Sequence, residues 1–159
     1  MSKIESDVKI LYFFTSEYPF GSGESFIGNE ISYLSKEFNK VVIICGISES
    51  GSYRVVPENV EIKNIIYDYN FSFKEIIISV FSWRLFIELK SMVFLYKKLP
   101  SIGRLKTAIK SNLNTIRLKK LYSNEVNNLA INTKNYLYSF WFNDSTHAIA
   151  LMKKENPIL

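Results

Sequence analysis

Apolar and polar residues follow two rhythms along the 159-residue chain. Four short stretches are rich in apolar and aromatic strand formers and too short for helices, and they are expected to be strands: residues 8–14, 41–46, 60–66 and 136–141, with continuous apolar runs at Ile10–Phe14 and Val41–Cys45. Elsewhere apolar residues return every three or four positions, the signature of a helix with one buried stripe. Ile27, Ile31, Leu34 and Phe38 make such a stripe between the first two runs. From Phe73 to Leu99 another is formed by Ile77, Phe81, Leu85, Leu89, Met92, Tyr96 and Leu99. Pro100 stops it. A further helix carries Ile102, Leu105, Ile109, Leu113, Ile116 and Leu121, and Val126–Ile131 extends another. Asn143, Asp144 and Ser145 supply N-caps for a helix over Thr146–Lys154. Strand, helix, strand in succession predicts a βαβ unit and an α/β fold, a Rossmann-like parallel sheet covered on both faces.

The connection after the first strand holds most of the turn chemistry. Tyr18-Pro19-Phe20-Gly21-Ser22-Gly23 is a loop, and Glu24 is expected to open the helix after it. Ligands of open α/β sheets bind beyond strand C-termini at such places. The dinucleotide fingerprint is incomplete, because Phe26 stands where its third glycine belongs and no acidic residue closes the second strand. No Walker-type Gly-Lys-Ser/Thr occurs. A carboxylate beside the loop disfavours a bare anion and favours a neutral polyol. Trp141 and Asn143 end the aromatic fourth strand, so chain order lets them meet Gly21–Glu24 at one sheet edge. Glu30 reads as a solvated or locally paired carboxylate. His147, the only histidine, has no nucleophile or metal-ligand partner near it in sequence, and no catalytic or metal-binding residue is assigned.

Charge adds a second candidate surface. Residues 1–88 carry 8 basic and 12 acidic side chains, whereas residues 89–124 carry nine basic ones and no acidic one. Lys97, Lys98, Arg104, Lys106, Lys110 and Arg117 stand on the polar side of helical patterns, a design suited to an anionic membrane surface. Charged residues interrupt every apolar stretch, so a transmembrane helix is not expected. No nucleic-acid signature accompanies the charge. The single cysteine, Cys45, falls in a predicted buried strand, which excludes an intrachain disulfide and suits a reducing compartment. The N-terminus does not read as a signal peptide, and a cytoplasmic chain associated with the inner membrane face is expected.

The segment TSEYPFGSGESFIGNEISYLSKEFNKVVIICG resembles the N-terminal part of family 4 glycosyltransferases of the GT-B type, through Glu24, Phe26, Ile27, Glu30, Ile31 and Leu34. YLYSFWFNDSTHAIALMKKENPIL resembles a later strand and helix of the same group. The resemblance implies a single N-terminal, acceptor-side domain over 1–159 that ends early, at the start of a further strand. It implies that the donor-binding domain and the nucleotide-sugar donor belong to a complete enzyme. On that reading Gly21, Ser22, Gly23, Glu24, Trp141 and Asn143 bind a glycan or lipid-linked sugar, and residues 1–159 alone transfer no sugar. Glu24→Ala is then expected to weaken acceptor binding with little loss of stability. The alternative is a stand-alone α/β module that docks an anionic partner or membrane through its basic helices.

Overall fold

A computed structural model describes residues 8–46, 54–65, 70–97, 99–127, 133–141 and 143–156. Lys98, Ile66 and Pro157–Leu159 lie outside the described residues. The elements are β1 (Val8–Thr15), α1 (Ile27–Glu37), β2 (Lys40–Cys45), β3 (Val60–Asn64), α2 (Phe73–Val80), α3 (Trp83–Tyr96), α4 (Ile102–Asn127), β4 (Thr133–Ser139) and α5 (Asp144–Glu155).

The four strands form one parallel sheet in the order β3-β2-β1-β4, a Rossmann-like α/β arrangement. β1 is central because its apolar run is buried on both faces, as parallel strands require. Leu11 and Phe13 face α1, where they pack with Ile27, Ile31, Val41 and Ile43. Ile10, Tyr12 and Phe14 face the other way, onto Leu118, Tyr122 and Val126 of α4 and Ala148 and Met152 of α5. The chain winds outward from β1 to β3, then returns across the sheet to place β4 on the other side of β1. The strand order therefore reverses between β1 and β4.

Several boundaries differ from the sequence expectation. β4 starts at Thr133, because polar Thr133–Asn135 still pair with Val8–Ile10, and it ends at Ser139 as the chain turns. β3 ends at Asn64, although Ile65 continues to donate its N–H to Cys45. The expected single helix over 73–99 is two. Ser72 caps α2 in a reciprocal box with Glu75, and Ser82 caps α3 through the Leu85 N–H. The helical patterns after Pro100 run instead as one uninterrupted α4. In the stripe assigned to 73–99, Leu85 is the one buried side chain among the described residues; Ile77, Phe81 and Leu99 are exposed. The α2–α3 segment rests chiefly on α4 through polar groups. Asn112, 1% exposed, gives its amide hydrogens to Ser79 O at 3.0 Å, Ser79 Oγ at 2.9 Å and Ser82 Oγ at 2.7 Å.

Tyr12 is fully buried, and its hydroxyl has no hydrogen-bond partner among the described residues. Burial, followed by the charges of Glu61 and Glu125, pushes its pKa up to about 12. An unsatisfied buried hydroxyl costs free energy that a ring hydrogen does not. Tyr12→Phe should therefore raise stability by about 1 kcal/mol, read as a higher urea midpoint at unchanged slope. A lower midpoint would show that the hydroxyl is satisfied.

Arg117 was placed by sequence on the membrane-facing side, but it turns inward onto α2. It donates to Glu75 at 2.8 and 3.3 Å and to Asn70 O at 3.0 Å, with its guanidinium 4.6 Å from the Phe71 ring centroid. Arg117 first, then the N–H and hydroxyl of Ser72, hold the Glu75 carboxyl at about 2, down from 4.5. The stabilisation from this pair is complete above the ordinary carboxyl pKa and is lost as pH falls toward 2. Glu75 is one-third exposed, so the contribution is about 1 kcal/mol or less. Glu75→Gln keeps the capping geometry and removes the charge. The stability gap between the two chains should be present at neutral pH and close as pH falls below about 4.5. A gap constant down to pH about 2 would assign the effect to capping alone.

Candidate functional site

The site is built from two loops at the C-terminal edge of the sheet, one after β1 and one after β4. α1 begins at Ile27, three residues later than expected, and Phe26 provides no side-chain cap. Residues 16–26 are consequently a turn that needs its own hydrogen-bond partners. Glu24 supplies them. Its carboxylate is 3% exposed and accepts the N–H groups of Ser16 at 3.2 Å, Glu17 at 2.8 Å and Tyr18 at 2.7 Å. The indole Nε1 of Trp141 completes the set by donating to Oε1. A carboxylate has about four acceptor positions, and here all four are used by the chain itself. Glu24 thus holds the loop and orients Trp141, a role different from the outward contact with sugar hydroxyls that the sequence suggests for it.

Glu17 occupies the glycine turn. Its carboxylate accepts the Gly23 N–H at 3.3 Å. A Cβ added to Gly21 would lie 2.6 Å from Glu17 Cβ, so the turn closes only with glycine there. An anion entering the glycine loop would meet this negative group. Thr15 Oγ1 donates to Tyr18 O at 2.7 Å, the Cys45 thiol contacts Ser16 O at 3.6 Å, and the Tyr18–Pro19 peptide is cis. These contacts tie the loop to the ends of β1 and β2.

On the β4 side, Trp141 is 43% exposed, and Phe26 and Phe140 lie against it. Ring centroids are 5.0 Å apart for Phe26–Phe140, 5.1 Å for Phe140–Trp141 and 6.2 Å for Phe26–Trp141. The result is a small, partly exposed aromatic cluster beside Gly21–Gly23. Phe26 and Phe140 were not among the sequence-assigned site residues. The signal available for them was only their position next to residues that were. Asn143 caps α5 by accepting the Ser145 N–H at 3.0 Å, which leaves its amide nitrogen as a donor on an exposed residue. Ser22 is exposed at the tip of the turn. Glu30 is paired: Tyr138 donates to its Oε1 at 2.9 Å, while the Tyr138 ring stacks on Phe13 at 4.9 Å. Burial first, and Glu30 second, raise the Tyr138 pKa.

The structure therefore joins Glu24 of the loop after β1 to Trp141 of the loop after β4. The basic residues are elsewhere. Lys97 ends α3 in the left-handed conformation, and Arg104, Lys106 and Lys110 lie exposed on α4. His147 borders a separate cleft of about 790 Å³ with Trp83, Arg84, Glu88 and Ser111. Among the described residues no group of three or more His, Cys, Asp or Glu is placed to hold a metal ion, and no helix is long and apolar enough to cross a membrane.

Comparison of the chain with protein-family models, with curated proteins and with solved structures finds no match.

Proposed function

We propose that residues 1–159 are the acceptor-side domain of a sugar transferase of the GT-B type, with the nucleotide-sugar donor handled by a second Rossmann-like domain. The observation that carries this reading is the Glu24–Trp141 bond. It joins the loop after β1 to the loop after β4, across the point where the strand order reverses. That crevice is where open parallel sheets bind small ligands.

The chemistry of the crevice favours a neutral, hydroxylated ligand. Glu24 is electrically committed to its own loop, and Glu17 holds the Gly23 N–H where a phosphate would otherwise sit. Phe26, Phe140 and Trp141 offer an apolar surface on which the C–H face of a sugar ring can rest. Ser22 and the Asn143 amide supply donors at its rim. The resemblance of TSEYPFGSGESFIGNEISYL to family 4 glycosyltransferases supports the same assignment.

The test is a titration of the chain with glycosides and lipid-linked sugars, followed by indole fluorescence. Weak saturable binding is expected, abolished by Trp141→Ala and reduced by Asn143→Ala. Incubation with nucleotide sugars and the same acceptors should give no transfer by these residues alone. A panel that leaves the Trp141 signal unmoved would overturn the assignment, and so would measurable turnover.

A further inference from the structure

We propose that the α2–α3 segment and the N-terminal half of α4 form a membrane-docking surface for anionic lipid, with apolar side chains entering the bilayer and lysines meeting the headgroups. Its position follows from helix length. The 26 residues of α4 extend about 39 Å, whereas the 8 residues of β1 extend about 26 Å. The second half of α4 packs on the sheet through Leu118, Tyr122 and Val126. Its middle is fixed to the start of α5, since Asp144 accepts from Ser111 at 2.6 Å and Asn114 at 3.0 Å. α5 starts just beyond the C-terminal end of β4. The part of α4 before Ser111 therefore projects past the sheet edge, while α2 and the start of α3 are held behind it, at Asn112 and Arg117.

The α2–α3 segment and the start of α4 are apolar where they should be polar. Phe81, Phe94 and Leu99 are 84%, 82% and 87% exposed, and Trp83, Leu95 and Ile102 are also mostly in solvent. So many large apolar side chains left in solvent mark an interaction site. A groove of about 860 Å³, lined by Phe86, Leu89, Val93, Phe94, Leu99 and Leu105, opens on the same surface and offers room for an acyl chain.

Charge identifies the occupant. Lys90 borders the groove, Lys97 ends α3, and Arg104, Lys106 and Lys110 follow on α4. No acidic residue occurs between positions 89 and 124. A second copy would bring the same cationic set against itself, which is repulsive. An anionic bilayer answers both the charge and the exposed apolar tips, the combination that binds interfacial helices. The structure departs here from the sequence expectation in two ways. Arg117 leaves the contact set, and Phe81 and Leu99, read as part of a buried stripe, are among the inserting groups.

The inference is independent of the sugar-transferase reading. If both hold, the crevice lies at the end of the molecule that faces the lipid, where a lipid-linked acceptor would be presented.

The test is cosedimentation of the full chain with neutral phosphatidylcholine vesicles and with vesicles containing about one-third phosphatidylglycerol. Binding to the anionic vesicles is expected to exceed that to neutral ones by about tenfold or more. Phe81→Ser/Phe94→Ser/Leu99→Ser should lower it by about tenfold or more, and so should Lys97→Gln/Lys106→Gln. All five positions are exposed, so the fold is spared, and circular dichroism checks that it is. Brominated acyl chains should quench Trp83 emission in the Trp141→Phe chain. Absence of binding, equal binding to neutral vesicles, or a triple variant that binds like the parent would overturn the proposal. A dimer that the triple variant dissociates, with no vesicle binding, would assign the surface to self-association. Capture of polyglutamate without vesicle binding would assign it to an acidic polypeptide, and either result also overturns the proposal.

Discussion

Glu24→Ala should lower global stability by about 3–5 kcal/mol, a large share of the 5–15 kcal/mol typical of a domain. The substitution removes one side chain but leaves three backbone N–H groups and the Trp141 indole without their acceptor. The bond from the Tyr18 N–H is buried and the others partly so, and donors that lose a charged acceptor in such a place are costly. Glu24→Gln does not rescue the loop, because its amide turns a donor toward groups that are themselves donors. Trp141→Phe, by contrast, removes a single bond and should cost about 1–2 kcal/mol. Urea melts of the two single variants and the double variant measure this directly, and the pair should be coupled by 0.5 kcal/mol or more, on the order of other contacting pairs. A Glu24→Ala chain with the parent's midpoint would show that the loop folds without its carboxylate. The expectation drawn from sequence, little loss of stability at this position, is thereby replaced.

Asn112→Ala should detach α2 and α3 while leaving the sheet folded. Asn112 serves acceptors on both helices, and the Arg84 guanidinium approaches its Oδ1 at 3.5 Å. Little apolar burial backs these bonds, since among the described residues of the two helices only Leu85 and Ser79 are buried. Loss of the amide removes the Asn112 bonds that tie Ser79 and Ser82 to α4, leaving those oxygens with their partners at Ser82 N–H, Leu85 N–H and Ile109 O, at a local cost of about 2–4 kcal/mol. Stability is not uniform across a domain, and this segment stands at the low end. Amide exchange should speed up across residues 73–96 by about 30-fold or more, while β1 and β2 exchange as before. Uniform acceleration throughout the chain would instead make the two helices part of the main cooperative unit.

The two inner strands β1 and β2 were legible because their centres are continuous apolar runs, and burial on both faces leaves no other use for Ile10–Phe14 or Val41–Cys45. β4 was legible only in its aromatic half, since Thr133–Asn135 pair by backbone and carry no apolar mark. Helical spacing found the helices but misjudged what their stripes face. Ile77, Phe81 and Leu99 repeat as core residues do, yet the break at Ser82 turns them to solvent. The buried face of α4 is partly polar, with Asn112 and Thr115 beside Ala108 and Leu118, and a purely apolar stripe misses it. At the site, sequence found the loop and Trp141 but not the function of Glu24. Its main partners are backbone N–H groups, which every residue except proline possesses, and its remaining partner is 117 positions away.

The strand order also sets when the crevice comes into being. β1 meets β2 about 30 residues along the chain, but it meets β4 only about 125 residues along. Local pairs close first because a short loop costs less chain entropy than a long one. The β1-α1-β2-β3 half can therefore collapse early, with its turn after β1 formed but Glu24 still lacking Trp141. Only the late arrival of β4 supplies the indole and the aromatic floor. A fluorescence trace from Trp141 during refolding would then lag behind the backbone signal of the first half, and the crevice would mature after the β1–β2–β3 half.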